Sequence, residues 1–273
     1  MQISHEKLLV AIDLSDCSIA AWKQAVLLAE PLHSKIEAVF VNESSPAAYV
    51  GYQPIILTKS LERKILQDIH AQIGPSIPVH ICEGRPADEI LRVARKRRAG
   101  LIVLGTHGGP GHEGGQLGWV AEHVTRRSPI PVLTVRRVKK HLRSILVAID
   151  EDERSGRELQ CAAELARHLR IRLQVMYVPD GKSQQSDARR RISTMIGRLP
   201  ADLRGTCKLR PKFLQGNAER EILKEATSHD LLVIVARREK LFRELLLGST
   251  TDRILQFSPV PVLSIPPSAH RRL

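Results

Sequence analysis

Aromatic residues make up only 3% of this 273-residue chain, so a single-stranded nucleic acid would find few rings on which its bases could stack. Cysteine is scarce too. Cys17, Cys82, Cys161 and Cys207 lie far apart and none belongs to a C-x-x-C pair, which argues against a zinc knuckle or a thioredoxin-type redox motif. Reduced thiols with no special role are expected; Cys82, beside Glu83 at a strand end, is the one position where a redox role is considered. The longest apolar runs, such as residues 101–104 and 231–236, fall far short of the roughly 20 residues that span a bilayer. The first seven residues carry no basic segment followed by an apolar one, so no secretory signal is read there. These absences predict a soluble cytoplasmic protein with no membrane partner. Acidic residues are the minority charge: 29 against 42 Lys and Arg, a net charge of +13. The excess is uneven, +3 over residues 1–138 and +10 over 139–273. Such a balance favours polyanions in general, an acidic protein or a nucleic acid. The Arg pairs 97–98, 126–127, 136–137 and 237–238 fall at helix ends or beside strands. There a basic last turn complements the helix dipole, and a solvated basic surface is the simpler reading.

The chain repeats itself. Residues 8–13 read Leu-Leu-Val-Ala-Ile-Asp and residues 145–150 read Ile-Leu-Val-Ala-Ile-Asp. Residues 128–135, Ser-Pro-Ile-Pro-Val-Leu-Thr-Val, return at 258–265 as Ser-Pro-Val-Pro-Val-Leu-Ser-Ile. Between them Gly84, Glu89, Ile90 and Leu91 recur as Gly216, Glu221, Ile222 and Leu223. Offsets of 137, 132 and 130 in the same order mean a duplicated domain with small deletions in the second copy. The boundaries expected are 1–138 and 144–273, joined by a short basic linker at 138–143 that holds the halves together.

Each half alternates short apolar strands with helices. In the first, strands are expected at 7–12, 35–41, 78–82, 101–104 and 131–135, with helices over 18–30, 57–73, 86–98 and 119–127. In the second, strands are expected at 144–149, 172–178, 208–214, 231–236 and 260–265, with helices over 156–169, 186–199, 218–228 and 249–257. Strands apolar throughout, alternating with amphipathic helices, predict an α/β fold with parallel sheets covered on both faces. In such doubly wound sheets ligands bind beyond the carboxyl ends of the strands, where strand order reverses.

That rule selects Asp13, Val41 and the loop that begins at Gly105. Seven glycines fall between Gly105 and Trp119. They expose backbone N–H groups, and the loop runs into a helix N-terminus at Gly118, a combination suited to phosphate. It is neither a Walker loop, which needs a lysine that is missing, nor a G-x-G-x-x-G fingerprint after the first strand. A metal site from His107, His112, His123, Glu113 and Glu122 is considered and set below solvated polar residues. Ser15 and Ser249 show no triad pattern.

The combination of Val-Ala-Ile-Asp at the first strand end, Gly84-x-Pro86-x-x-Glu89-Ile90, Gly105-x-x-Gly108 with nine residues to Gly118, and the closing Pro-Ile-Pro-Val-Leu resembles the universal stress protein family, in both halves. The resemblance implies two tandem doubly wound domains, each with a five-stranded parallel sheet of order 3-2-1-4-5, paired through their last strands. It also implies an adenine nucleotide, ATP with or without magnesium. Asp13 and Val41 would face the adenosine, Gly105, Thr106, His107 and Gly108 the ribose and phosphates, and Gly118, Trp119 and Val120 the phosphates. Trp119 stands where the family has Ser or Thr, so a hydroxyl donor is lost and a ring arrives that either stacks or fills the phosphate site. In the second half Asp150, Val178, Gly248, Ser249 and Thr250 match. There Gly-x-x-Gly has become Ala236-Arg237-Arg238-Glu239, and Glu151, Asp152 and Glu153 follow Asp150. Side chains and carboxylates now stand where backbone should meet phosphate, so this half is expected to be a degenerate partner domain. No general base is identifiable, and the expectation is a stress-response protein acting by conformation or partner binding, at most a weak ATPase. Two alternatives remain: a nucleotide-independent interaction module that uses the basic second half, and an adenylate-handling transferase, for which only Asp13 and Asp16 offer carboxylates. A further dimer of the chain is left open.

Overall fold

A computed structural model describes residues 7–43, 57–108, 117–149, 155–179, 185–206, 210–235, 238–241, 244–247 and 249–266. The first half runs β1(Lys7–Ala11), α1(Asp16–Leu32), β2(Lys35–Asn42), α2(Lys59–Ile73), β3(Val79–Glu83), α3(Pro86–Arg97), β4(Leu101–Gly105), α4(Trp119–Arg127) and β5(Val132–Val135). The second runs β6(Ser144–Ile149), α5(Ser155–Leu169), β7(Arg172–Tyr177), α6(Gln185–Gly197), α7(Ala201–Thr206), β8(Arg210–Phe213), α8(Ala218–Ala226), β9(Leu231–Val235), β10(Arg238–Leu241), β11(Glu244–Leu247), α9(Ser249–Phe257) and β12(Val262–Ile265).

Among the described residues ten strands form one sheet of order β3-β2-β1-β4-β5-β12-β9-β6-β7-β8. Each half contributes five strands to this sheet in the order 3-2-1-4-5, and within each set of five every pairing is parallel. Where the halves meet, β12 pairs with β5 antiparallel, with Leu263 opposite Leu133. The strands are apolar on both faces because helices cover both, and alternate residues feed different layers. Leu8 and Val10 join the core beneath α1, α2, α5, α6 and α7, while Leu9 joins the one beneath α3 and α4. The first of these cores is continuous across the two halves. On the opposite face the core under α3 and α4 and the core under α8 and α9 are separate clusters, with Leu117 packed against both.

The linker is fastened rather than loose. Gln24 of α1 is 1% exposed, and its Oε1 accepts a hydrogen bond from the Lys139 backbone N–H at 2.8 Å.

Two expectations need correction, and one short helix was not expected at all. Helix α1 does not stop at Glu30 but continues through Pro31 to a left-handed cap at His33. Pro31 is one residue from the end of the helix and removes a single N–H from its hydrogen-bond ladder. The stretch between α6 and β8 is not plain loop: Pro200 opens the short α7, its carbonyl accepting from the N–H groups of Leu203 and Arg204. The segment before α9 in the second half is not a loop like its first-half counterpart but the antiparallel hairpin β10–β11, Arg238 opposite Leu247 and Leu241 opposite Glu244. Residues 236–247 contain no glycine, so nothing in them opposes an extended, paired backbone.

A buried ionic cluster holds the strand starts of the first half. Glu37 of β2 is 5% exposed. It accepts from Arg97 Nε at 2.8 Å and Nη2 at 3.0 Å, and it contacts Lys7 Nζ and His80 Nε2, each at 2.7 Å. The Arg97 guanidinium, with Lys7 and His80, holds the Glu37 pKa down at about 2 against the cost of burial. At the matching position of the second half stands Gln174. Glu37→Gln leaves three cationic or polar partners around a neutral amide, and it is expected to lower the unfolding free energy at pH 7 by about 3 kcal/mol in urea titrations. Because the native pKa is depressed, the carboxylate's contribution is complete above pH 4.5 and is lost only as the pH falls towards about 2.

Asp252 of α9 has the opposite problem. It faces Glu122 and Arg126 of α4 across the junction of the halves, and its Oδ1 has no hydrogen-bond partner. Burial, with Glu122 adding, pushes its pKa up to about 6, while Arg126 opposes the rise. The native state therefore holds this proton more tightly than the unfolded chain does, and its contribution to stability declines as the pH rises from about 4 to about 6. Asp252→Asn removes that decline. Its urea midpoint should gain on the parent's between pH 4.5 and pH 7.5; a constant gap would refute the assignment.

Candidate functional site

The crevice begins where β1 gives out. The Ile12 N–H still reaches the Val39 carbonyl at 2.9 Å, and then the chain turns through Leu14 with a φ of 66°. Ser15 caps α1, its Oγ accepting from the Ser18 N–H at 3.2 Å. The same Ser15 donates to Asp13 Oδ1 from its N–H at 3.0 Å and from its hydroxyl at 2.6 Å. Asp13 itself is exposed, with Oδ1 committed to this turn and Oδ2 directed at Gly108.

β4 ends against the same helix. A Cβ on Gly105 would lie 2.8 Å from both the carbonyl carbon and the Cβ of Cys17, so glycine is what lets the strand end on the first turn of α1. Thr106 is 4% exposed. Its N–H donates to the Val135 carbonyl at 3.1 Å, its hydroxyl lies 2.9 Å from His107 Nδ1, and its carbonyl accepts from the Gly118 N–H at 2.8 Å. That last bond draws the two ends of the glycine-rich loop together. A Cβ on Gly118 would stand 3.0 Å from the Thr106 oxygen, and one on Gly108 would strike the Asp13 carboxylate. Sequence-distant Asp13, Gly105, Thr106, His107, Gly108 and Gly118 are thus brought to one place. Residues 109–116, with His112 and Glu113, lie outside the described residues.

Gly118 is the N-cap of α4 and supplies no side-chain cap, so the first backbone N–H groups of α4 have no side-chain acceptor from it. Their partial positive charge lies beside Thr106, His107 and Gly108. Trp119, the first residue of α4, is 49% exposed. Its ring stacks on His123 with centroids 4.0 Å apart, and His123 Nδ1 lies 2.9 Å from the Trp119 carbonyl oxygen. The indole is therefore held against its own helix, by a ring one turn further on. Val41, opposite Cys82 in the sheet, and Val120 both pack on the core beneath α3 and α4.

The other sequence candidates are not assembled. Among the described residues no group of three or more His, Cys, Asp or Glu could hold a metal. His107 meets Thr106, His123 meets Trp119, and Glu122 pairs with Arg126 at 3.5 Å. Ser15 caps α1. Burial raises the thiol pKa of Cys82 and of Cys161, which suits inert thiols. Cys207 lies outside the described residues. In the second half Asp150, Gly248, Ala236 and Arg237 also lie outside them. Val178 follows β7 against the core of α8 and α9, Ser249 and Thr250 open α9, and Arg238 and Glu239 belong to β10. A hairpin therefore stands where the first half has its glycine turn. Sequence reasoning missed the contact of Gly105 with Cys17 and the bond from Gly118 to Thr106. The spacing Asp13-x-Ser15-x-x-Ser18 carried a capping signal that could have fixed the first turn.

Gly105→Ala should cost about 1–3 kcal/mol of stability, because the atoms in the way are backbone and Cβ of a helix that cannot rotate aside. Thermal unfolding of the variant checks this; an unchanged Tm would refute the close approach.

The model of the universal stress protein family matches twice, over residues 5–136 and 141–266. A universal stress protein of Methanocaldococcus jannaschii is 33% identical over 146 residues, which are 50% of this chain and 85% of that protein. One of Bacillus subtilis is 32% identical over 145 residues, 48% of this chain and 98% of its own. The crystal structure of a universal stress protein from Archaeoglobus fulgidus matches 97% of this chain and 99% of its own, with a TM-score of 0.73 at 19% identity. Among the described residues no helix is long and apolar enough to cross a membrane. Two family matches in one chain, on two halves with the same strand order, make this protein a tandem member of the universal stress protein family.

Proposed function

We propose that the first unit, residues 1–138, binds an adenine nucleotide, ATP with or without magnesium, and that the second, 144–273, is its partner domain. The observation that carries this reading is the closed glycine turn: Gly118 bonded to Thr106, Gly108 against Asp13, and an N-terminus of α4 without a side-chain cap. A side chain at either glycine would strike Thr106 or Asp13 and push the two ends of the loop apart, and helix N–H groups with their dipole favour an anion there. Asp13 and Val41 lie at the adenosine end, where a carboxylate accepts from hydroxyl or amino groups and a valine gives the base an apolar wall. Gly105, Thr106, His107 and Gly108 line the ribose and phosphates, and the N–H groups of Trp119 and Val120 donate to phosphate oxygens. The reading assigns binding to this site and no catalytic step. Conformation or partner binding carries the output in the stress response.

Purified protein, denatured and chromatographed, should release close to one equivalent of adenine nucleotide, or take up that amount after incubation with excess ATP and magnesium. Gly108→Glu should lose at least ten-fold in affinity while its circular dichroism stays native. Absence of nucleotide under both conditions would overturn the proposal.

A further inference from the structure

The strand-start rim of the second half collects arginines from segments far apart in sequence. A parallel sheet puts the starts of β6, β7 and β8 and the ends of the preceding helices at one end. Arg143 precedes β6, Arg167 lies in the last turn of α5, Arg170 follows that helix at a φ of 54°, and Arg172 opens β7. Arg198 follows α6, and Arg204 lies on α7. All six are exposed. Arg143 and Arg172 are neighbours, the Arg172 N–H donating to the Arg143 carbonyl at 3.0 Å. The carboxylates nearby offset little of this charge. Asp202 stands 3.9 Å from Arg167, and Asp230 Oδ2 accepts from the N–H groups of Arg143 and Ser144 and from the Ser144 hydroxyl.

This charge is not a property of the fold. The positions matching Arg167, Arg170, Arg172 and Gln174 in the first half are Glu30, His33, Lys35 and Glu37. There the cations Lys7 and Arg97 turn inward onto Glu37. The duplication has thus lost the acid on one copy's rim and gained exposed guanidinium groups. None belongs to the Arg pairs at 97–98, 126–127, 136–137 and 237–238.

We propose that this rim binds the phosphodiester backbone of double-stranded nucleic acid without regard to sequence. The guanidinium fork matches phosphate in a bidentate way that an ammonium does not. Among the described residues no aromatic side chain lies among the six, and the exposed Phe257 belongs to α9 on the opposite helix layer. With nothing for unpaired bases to stack on, a duplex backbone is the ligand these groups fit.

The test is fluorescence anisotropy of a labelled 20-base-pair duplex of random sequence, titrated with the full chain from 50 to 300 mM salt. The rim variant is Arg143→Glu/Arg172→Glu/Arg198→Glu. The charge control is Lys59→Glu/Arg63→Glu/Lys64→Glu on exposed positions of α2. The rim variant should bind at least ten-fold more weakly at 100 mM salt, with a salt slope shallower by about three, while the control stays within about two-fold of the parent. Arg→Gln at the same three positions, which adds no acid, replaces the rim variant if circular dichroism shows that one unfolded. Equal losses in rim variant and control, no binding by the parent at 50 mM salt, or rim-dependent binding to phosphatidylserine vesicles without binding to the duplex would each overturn the proposal.

Discussion

The antiparallel pairing of β5 with β12 is the constraint from which the shape of the molecule follows. Leu133 lies opposite Leu263, its own counterpart 130 residues later, and Thr134 and Val132 lie opposite Val262 and Ser264. An approximate two-fold axis must therefore pass between the two leucines. Two copies of a five-stranded sheet become one sheet of ten, and the core beneath α1, α2, α5, α6 and α7 runs through without a break. The edges that would otherwise invite another strand are buried at the join. The pairing also brings α4 and α9 face to face, which is why Glu122 and Asp252, matched positions of the repeat, oppose one another.

Within this symmetric frame the residues are not symmetric, and the differences fall where chemistry is exposed. The first half keeps glycine at 105, 108 and 118, so backbone meets backbone at the end of β4. The second half has no glycine between 236 and 247, and its backbone pairs with itself as β10 and β11. At the opposite rim the first half buries Glu37 among cations, whereas the second has Gln174, whose amide donates to the Val175 carbonyl at 2.9 Å. A neutral amide asks for no counter-charge, and Arg172, two residues before it on β7, is exposed.

Most of the fold was legible because parallel strands covered on both faces are short apolar runs, and the helices between them carry plain punctuation. Pro86 starts α3, and Arg95, Lys96 and Arg97 end it. The repeat made each half evidence for the other. What misled was local. A proline near the end of α1 reads as a stop, yet there it removes only one N–H donor and few residues follow that its ring could disturb. The hairpin β10–β11 was invisible because a short, charged and leucine-rich segment has no period that separates loop from strand. At the site, the residues to watch could be read from the sequence, but the contacts that unite them could not. That Gly105 abuts Cys17, or that Gly118 bonds back to Thr106, depends on three dimensions. The same is true of Trp119: a ring in a phosphate turn and a ring stacked on His123 have the same sequence, and only the four-residue helical spacing, seen in place, selects the second.

The join fixes one further relation. Because β5 and β12 run in opposite directions, the strand ends of the first half and the strand starts of the second share one edge of the sheet. The glycine turn and the arginine rim therefore lie on the same edge, separated by β5, β12 and β9 and bridged by a basic linker that Gln24 holds in place. In a parallel arrangement of the two halves they would have faced opposite ways. Gln24 is on α1, the helix whose first turn abuts Gly105 and whose cap anchors Asp13. The element that shapes the glycine turn is thus the one that fastens the linker, and a shift of α1 would be felt at both. Duplication followed by antiparallel joining has given one edge two surfaces of different character, one where the start of α4 meets Thr106 and one of exposed guanidinium groups.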